Sequence, residues 1–188
     1  MGTVTIVALW LPILLSALVV FILSAVFWMV SPHHKKDFRP LPDENATLNA
    51  LRSQSLAPGQ YWIPHADPQQ MKDPAVLQKY EQGPVGILTV MRSGVPGMGK
   101  NMGLAFAWYV VVGIFVAYVA SRHLPAGAEY LAVHRLAAVV AFLAYGMSSV
   151  QDSIWFGRPW SFSLKTLFDA LIYGLFTGGV FGWLWPTA

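Results

Sequence analysis

Residues Ile6 to Val30 read IVALWLPILLSALVVFILSAVFWMV, and the flanks extend this run from Thr3 to His34 without a single Lys, Arg, Asp or Glu. At a rise of about 1.5 Å per residue, such a stretch crosses a hydrocarbon core of roughly 30 Å. It predicts a transmembrane helix. A cleaved signal peptide would carry a basic start, a shorter apolar core and a small-residue cleavage site. Met1 to Trp10 has no basic side chain and Phe27-Trp28-Met29 is bulky, so the helix is expected to be retained.

The rest of the chain has the same character. Of 188 residues, 55% are apolar and 11% charged, against roughly a quarter charged in ordinary soluble domains. That balance excludes a water-soluble globule. The absence of cysteine excludes disulfides, thiolate metal ligation and thiol nucleophiles. The formal charge of +3 is spread along the chain rather than gathered into a basic stripe, which argues against nucleic acid as a partner.

Two further apolar runs are long enough to cross: Met102 to Ser121, and a last helix from near Ser163 that is apolar from Ala170 to Trp185. Between them a helix over about Tyr130 to Val150 is expected, with Arg135 near its start snorkelling toward the headgroups. The expected fold is therefore mainly α. It is a four-transmembrane-helix bundle with spans over 1–30, 102–121, 130–150 and 163–185 and a small cytoplasmic α+β insertion over 31–101.

Sidedness follows from the basic residues, which are retained in the cytoplasm. Eight lie between Ser31 and Asn101, and Arg158 and Lys165 add two more, leaving Arg122 and Arg135 for the other side. Both termini are then outside. Aromatic belts agree, with Trp10, Trp183 and Trp185 at one interface and Trp28, Trp108, Trp155 and Trp160 near the other.

The insertion carries local signals. Pro42-Asp43 opens a helix that closes before Pro58-Gly59. Asp73 as N-cap and Pro74 at the first helical position open another, which Gly83-Pro84 stops. Gln60 to Ile63 and Val85 to Met91 read as strands. With so few apolar side chains, the unit is expected to need a membrane surface or a partner to complete its core.

Several patterns bear on chemistry. Gly94 to Lys100 fits G-x-x-x-x-G-K, but Asn101 stands where a phosphate-binding loop needs Ser or Thr for Mg²⁺. It reads as a re-entry turn. His33-His34, with His65 and Asp67 further on, could gather around a metal, yet no ligand spacing supports this. The pair beside Lys35 and Lys36 reads as an interfacial basic collar, and neither a metal nor a cofactor is expected.

His134 and Arg135 beside the third span are candidates for a proton path or for binding a quinone or headgroup, with interfacial anchoring as the simpler role. At the inner end, Asp152, Arg158, Lys165 and Asp169 form a denser polar group. Lys165 and Asp169 lie four apart on one helical face and are expected to pair, and the turn from Trp155 to Trp160 should hold Arg158 near Asp152. The group reads as a clamp or as an anion or headgroup site. Thr166, Ala170, Gly174, Gly178 and Gly182 recur every four residues, giving the last helix a small-residue face that another helix can approach closely.

Asp152 to Trp160, Leu167 to Gly174 and Ser31 to Phe38 together resemble a family of short bacterial inner-membrane proteins of uncharacterised activity. The resemblance runs over most of the chain and implies a bacterial inner-membrane location. It implies no catalytic or binding residue.

No nucleophile and base stand together, so catalysis is not expected. The leading expectation is an accessory, assembly or scaffold subunit of a larger membrane complex, in contact with lipid and with a protein partner or second copy through the last helix. The alternatives are a small proton-coupled transporter or channel using His134, Arg135, Asp152 and Asp169, and a quinone- or headgroup-binding enzyme using Tyr145, His134 and the Trp-rich turn.

Overall fold

The computed structural model describes residues 4–95 and 97–187. In chain order it contains α1 (Trp10–Ala25), α2 (Glu44–Ser53), β1 (Gly59–Ile63), α3 (Pro74–Gln82), β2 (Gly86–Val90), α4 (Met98–His123), α5 (Tyr130–Gly146), α6 (Ser148–Phe156) and α7 (Trp160–Trp183). A 3₁₀ turn over Val7–Leu9 leads into α1, and a π turn over Val26–Val30 continues it. Four stretches, Val7–Val30, Met98–His123, Tyr130–Phe156 and Trp160–Trp183, are long and apolar enough to cross a membrane. Pro96, inside the glycine-rich re-entry stretch, and the extreme termini (Met1, Gly2, Thr3 and Ala188) lie outside the described residues.

Two spans run longer than apolarity alone indicates. The α4 helix starts at Met98 because Lys100 and Asn101 wind into its first turn, with the Asn101 amide bonded to the Gly97 carbonyl at 3.1 Å. Polar residues at an interface do not interrupt a helix. The third span breaks at Met147 and resumes as α6, where Ser149 Oγ donates to the Gly146 carbonyl at 2.7 Å.

The chain divides into two compact units, Met1–Asp37 with Gly97–Ala188, and Phe38–Pro96. Residues 31–37, expected in the insertion, thus fold with the helices. In the helical unit the buried side chains are mostly small or β-branched: Ala17 and Val20 on α1, Val116, Ala117 and Ala120 on α4, Val133, Ala137 and Ala141 on α5. Larger apolar groups such as Leu18, Ile22, Phe115, Leu171 and Phe176 are exposed on the outside. Small inside and large outside is the packing that lipid permits, because burying a large apolar side chain gains little there.

The small-residue face of α7 is occupied by α5. A Cβ added at Gly174 would stand 2.7 Å from the Ala138 carbonyl oxygen, and one at Gly178 would stand 2.6 Å from that of His134. Gly182 packs on the Tyr130 ring in the same way, and Ala170 meets Gly146. The helix that approaches this face is therefore one of the chain's own. A similar approach joins α1 to α4, where a Cβ on Gly113 would meet Ile13 at 3.2 Å.

The second unit follows its local signals. Asp73 caps α3 by accepting from the Ala75 amide at 2.8 Å, and Asp43 caps α2 through Ala46 at 2.8 Å. The two strands pair antiparallel, Gly59 opposite Val90 and Ile63 opposite Gly86. Tyr80 OH donates to the Pro64 carbonyl at 2.8 Å, tying α3 to the end of β1. Among the described residues 38–95 none is buried, and Trp62, Ile63, Met71 and Leu77 are each exposed.

Candidate functional site

The site begins at the end of α1. There the Ser31 amide donates to the Val26 carbonyl, five residues back, at 2.8 Å, and this wider turn carries Phe27 and Trp28 against the two histidines that follow. The chain then coils tightly. Ser31 Oγ accepts from the His33 amide at 3.1 Å, and the Asp37 amide donates to the His34 carbonyl at 3.1 Å. Wound in this way, residues 31–37 direct His33, His34 and Asp37 onto the α7 face that bears Lys165 and Asp169.

Four side chains form a continuous polar chain. Lys165 Nζ donates to Asp37 Oδ1 at 2.5 Å, and Asp37 Oδ2 lies 2.6 Å from His34 Nδ1. On the other side of the ring, His34 Nε2 lies 2.7 Å from Asp169 Oδ2. His33 Nε2 stands 3.2 Å from the second oxygen of Asp169. Asp169 and His34 are only 3% and 5% exposed. The His33 and Lys165 side chains reach the edge, at 28% and 26%.

Burial pushes the Asp37 carboxyl up, but the hydrogen bonds and positive charges of Lys165 and His34 outweigh it and hold the group below its ordinary value. A charged Asp37 only accepts, so the proton on His34 Nδ1 is fixed there. The Nε2 atom then faces Asp169 Oδ2 at 2.7 Å, a hydrogen-bond distance that calls for a proton between the two lone pairs, or for a cation beside them once they part slightly. A further observation points the same way. His33 Nε2 and Asp169 Oδ1 are buried atoms that make no hydrogen bond, although they stand side by side. His33, His34 and Asp169 each offer an atom within 4.8 Å of the others, a grouping that could hold a metal ion.

Aromatic rings close the site. Trp28 stacks on His34 with centroids 3.9 Å apart and planes within 5°, and Phe168 and Phe27 flank His33. One turn beyond Asp169, Tyr173 stacks on Phe27 at 5.9 Å with its hydroxyl buried and without a partner. The α6–α7 hairpin beside the site is held by hydroxyls: Ser153 and Ser163 share a 2.6 Å contact, and Ser163 Oγ donates to the Ser149 carbonyl at 2.7 Å.

Two expectations for these residues are corrected. Lys165 and Asp169 do not pair with each other, since the returning 31–37 turn offers each a buried partner, Asp37 for Lys165 and His34 for Asp169. The histidines do not form an interfacial basic collar with Lys35 and Lys36 either, because His34 is enclosed between two carboxylates and an indole and His33 stands against Asp169. Sequence reasoning assigned no site role to Asp37, and the only signal for the histidines was their adjacency. His65 and Asp67, considered beside them as ligands, belong to the 38–96 unit instead.

Arg158 does meet Asp152, at 3.1 Å, as an exposed pair with the guanidinium also 4.5 Å over the Phe162 ring. The turn is made by Gly157, whose φ of +67° suits a residue without Cβ. His134 and Arg135 stand elsewhere. The Gly178 position that packs on His134 is nine residues along α7 from Asp169, roughly 13 Å away. Both side chains line an apolar groove of about 260 Å³ with Phe142, Leu171 and Leu175. The structure therefore does not gather the sequence candidates into one site. No family model, curated protein or solved structure matches the chain.

Proposed function

We propose that this is a multi-pass membrane protein whose working site is a buried cation-binding cluster at one end of its helix bundle. One observation carries the reading: one ligand atom each of His33, His34 and Asp169 lies within 4.8 Å of the others, and Asp169 Oδ1 and His33 Nε2, 3.2 Å apart, make no hydrogen bond there. Ionisable groups in a membrane-length helix are expensive to hold and generally serve a purpose other than stability. The basic-residue count supports both termini outside and the cluster toward the cytoplasm, and an inner bacterial membrane is what the resemblance to short bacterial membrane proteins implies.

The test is thermal melting of the full chain in detergent with Na⁺, K⁺, Mg²⁺, Ca²⁺, Zn²⁺ and Co²⁺ added one at a time. At least one cation class should raise the melting temperature of the native protein and leave Asp169→Asn unmoved. If no cation acts, or all act equally on both proteins, the reading fails.

A second reading, an accessory or assembly subunit of a larger membrane complex, is favoured by the 38–95 unit, in which no described side chain is buried. Its exposed Trp62, Ile63 and Leu77 are the surface that a partner would cover. α5 fills the glycine face of α7, so this reading places the partner on the 38–95 unit. A photo-crosslinker at Leu77 should trap a protein partner in native membranes; crosslinks to lipid alone would count against it.

A further inference from the structure

We infer that the cation held by His33, His34 and Asp169 is a divalent transition-metal ion, with Asp37 and Lys165 forming the outer layer that orients the His34 ligand. The inference rests on the cation-site reading above and names its occupant. Two imidazoles and one carboxylate make a borderline donor set suited to Zn²⁺, Co²⁺, Ni²⁺ or Fe²⁺. Mg²⁺ and Ca²⁺ prefer oxygen throughout.

Orientation of the ligands argues for the metal over a plain ionic contact. A metal-binding histidine usually donates its other ring N–H to a carboxylate, which fixes the tautomer and strengthens the donor atom. His34 meets that description, with Nδ1 2.6 Å from Asp37 Oδ2 and Nε2 turned toward Asp169. Lys165 keeps Asp37 ionised from the far side at 2.5 Å. Trp28, stacked flat at 3.9 Å, restrains the ring from rotating.

Geometry leaves a small adjustment. Ligands about 2.0–2.2 Å from a zinc-type ion stand roughly 3–3.5 Å from one another; here the ligand atoms lie within 4.8 Å, His33 Nε2 and Asp169 Oδ1 are 3.2 Å apart, and His34 Nε2 and Asp169 Oδ2, at 2.7 Å, would open by a few tenths of an ångström as their shared proton leaves. His33 can supply the closure, because its side chain is 28% exposed and its Nε2 is committed to no hydrogen bond. Three protein ligands would leave at least one coordination position for water or another small donor.

Net charge calls for a cation without selecting its valence. Asp37 and Asp169 bring two negative charges and Lys165 one positive, so with neutral imidazoles the protein groups sum to −1. A divalent ion leaves the cluster at +1, beside the indole face of Trp28. A monovalent ion would bring the sum to zero, so the preference for a transition metal comes from the two nitrogen donors and not from charge.

The experiment uses the full chain in detergent, purified without a polyhistidine tag, stripped with chelator and titrated with Co²⁺ and Zn²⁺. Expected are one bound equivalent, visible d–d absorption with Co²⁺ and its displacement by Zn²⁺. His33→Ala, which removes no hydrogen bond of the ring and should fold normally by circular dichroism, should weaken binding at least tenfold. Asp169→Asn should weaken it further, and Asp37→Asn, which acts only through His34, should weaken it about 10–100-fold. His65→Ala and His134→Ala should leave it unchanged. Absence of a saturable equivalent in native protein, or an equivalent retained in folded His33→Ala, overturns the inference. Stabilisation by Na⁺, Mg²⁺ or Ca²⁺ that depends on Asp169, without Co²⁺ binding, overturns it while the broader cation-site reading stands; no response to any cation overturns both.

Discussion

The two ends of α7 solve different problems. At Gly174, Gly178 and Gly182 the helix offers α5 bare backbone, and α5 comes so close that the carbonyl oxygens of Ala138 and His134 stand 2.7 and 2.6 Å from where a Cβ would be. From Ser163 to Asp169 the same helix carries a hydroxyl, an ammonium and a carboxylate, each with its own partner. Contact at the glycine end needs no desolvation, so close packing translates into stability. At the polar end the desolvation of buried charges offsets most of what their attraction supplies. Apolar side chains could hold that end together as well, which makes a functional reason for the charges the better account.

Single substitutions at the polar end should be the most damaging, because they strand a charge without its partner. Asp169→Asn is expected to cost roughly 3–5 kcal/mol, measured by reversible unfolding in mixed micelles. A loss under about 1 kcal/mol would show that the cluster is looser than its burial suggests. Gly178→Leu attacks the other end, and since a carbonyl cannot move aside as a side chain tip can, the loss should reach about 3 kcal/mol, the upper part of the range for overpacking. A smaller loss would mean that α5 and α7 separate easily.

Acid sharpens the comparison. A carboxyl held below its ordinary value contributes stability above its unfolded pKa and loses it as the pH falls through the folded one. For Asp37 this places the full contribution above 3.8 and the loss below it. The melting-temperature gap between native protein and Asp37→Asn should therefore be constant near neutrality and narrow only in strong acid. A gap that widened there would reverse the assignment. Asp152→Asn should have the least effect, under about 1 kcal/mol, because its pair with Arg158 is exposed on both sides.

Much of this architecture is legible locally. The charge-free run to Val30 specifies a span by its length, and the Asp73-Pro74 start and Gly83 stop specify α3 through backbone chemistry confined to a few residues. The four-residue repeat from Ala170 to Gly182 announces a close helix contact, and Asp152 with Arg158 are near enough along the chain to find each other. Span ends are less legible, since Lys100, Asn101 and Asp152 enter helices that extend beyond the apolar runs.

The sequence by itself determined four lipid-compatible rods, their small faces and the fold of each capped segment, because these depend on interactions within a turn or two. Which helix fills the glycine face, and that His34 reaches Asp169 135 residues away, only the tertiary structure decided. A histidine beside a lysine carries no local mark of burial. Its environment is set by the π turn that redirects residues 31–37 and by the helix they happen to meet, and both are properties of the assembled bundle.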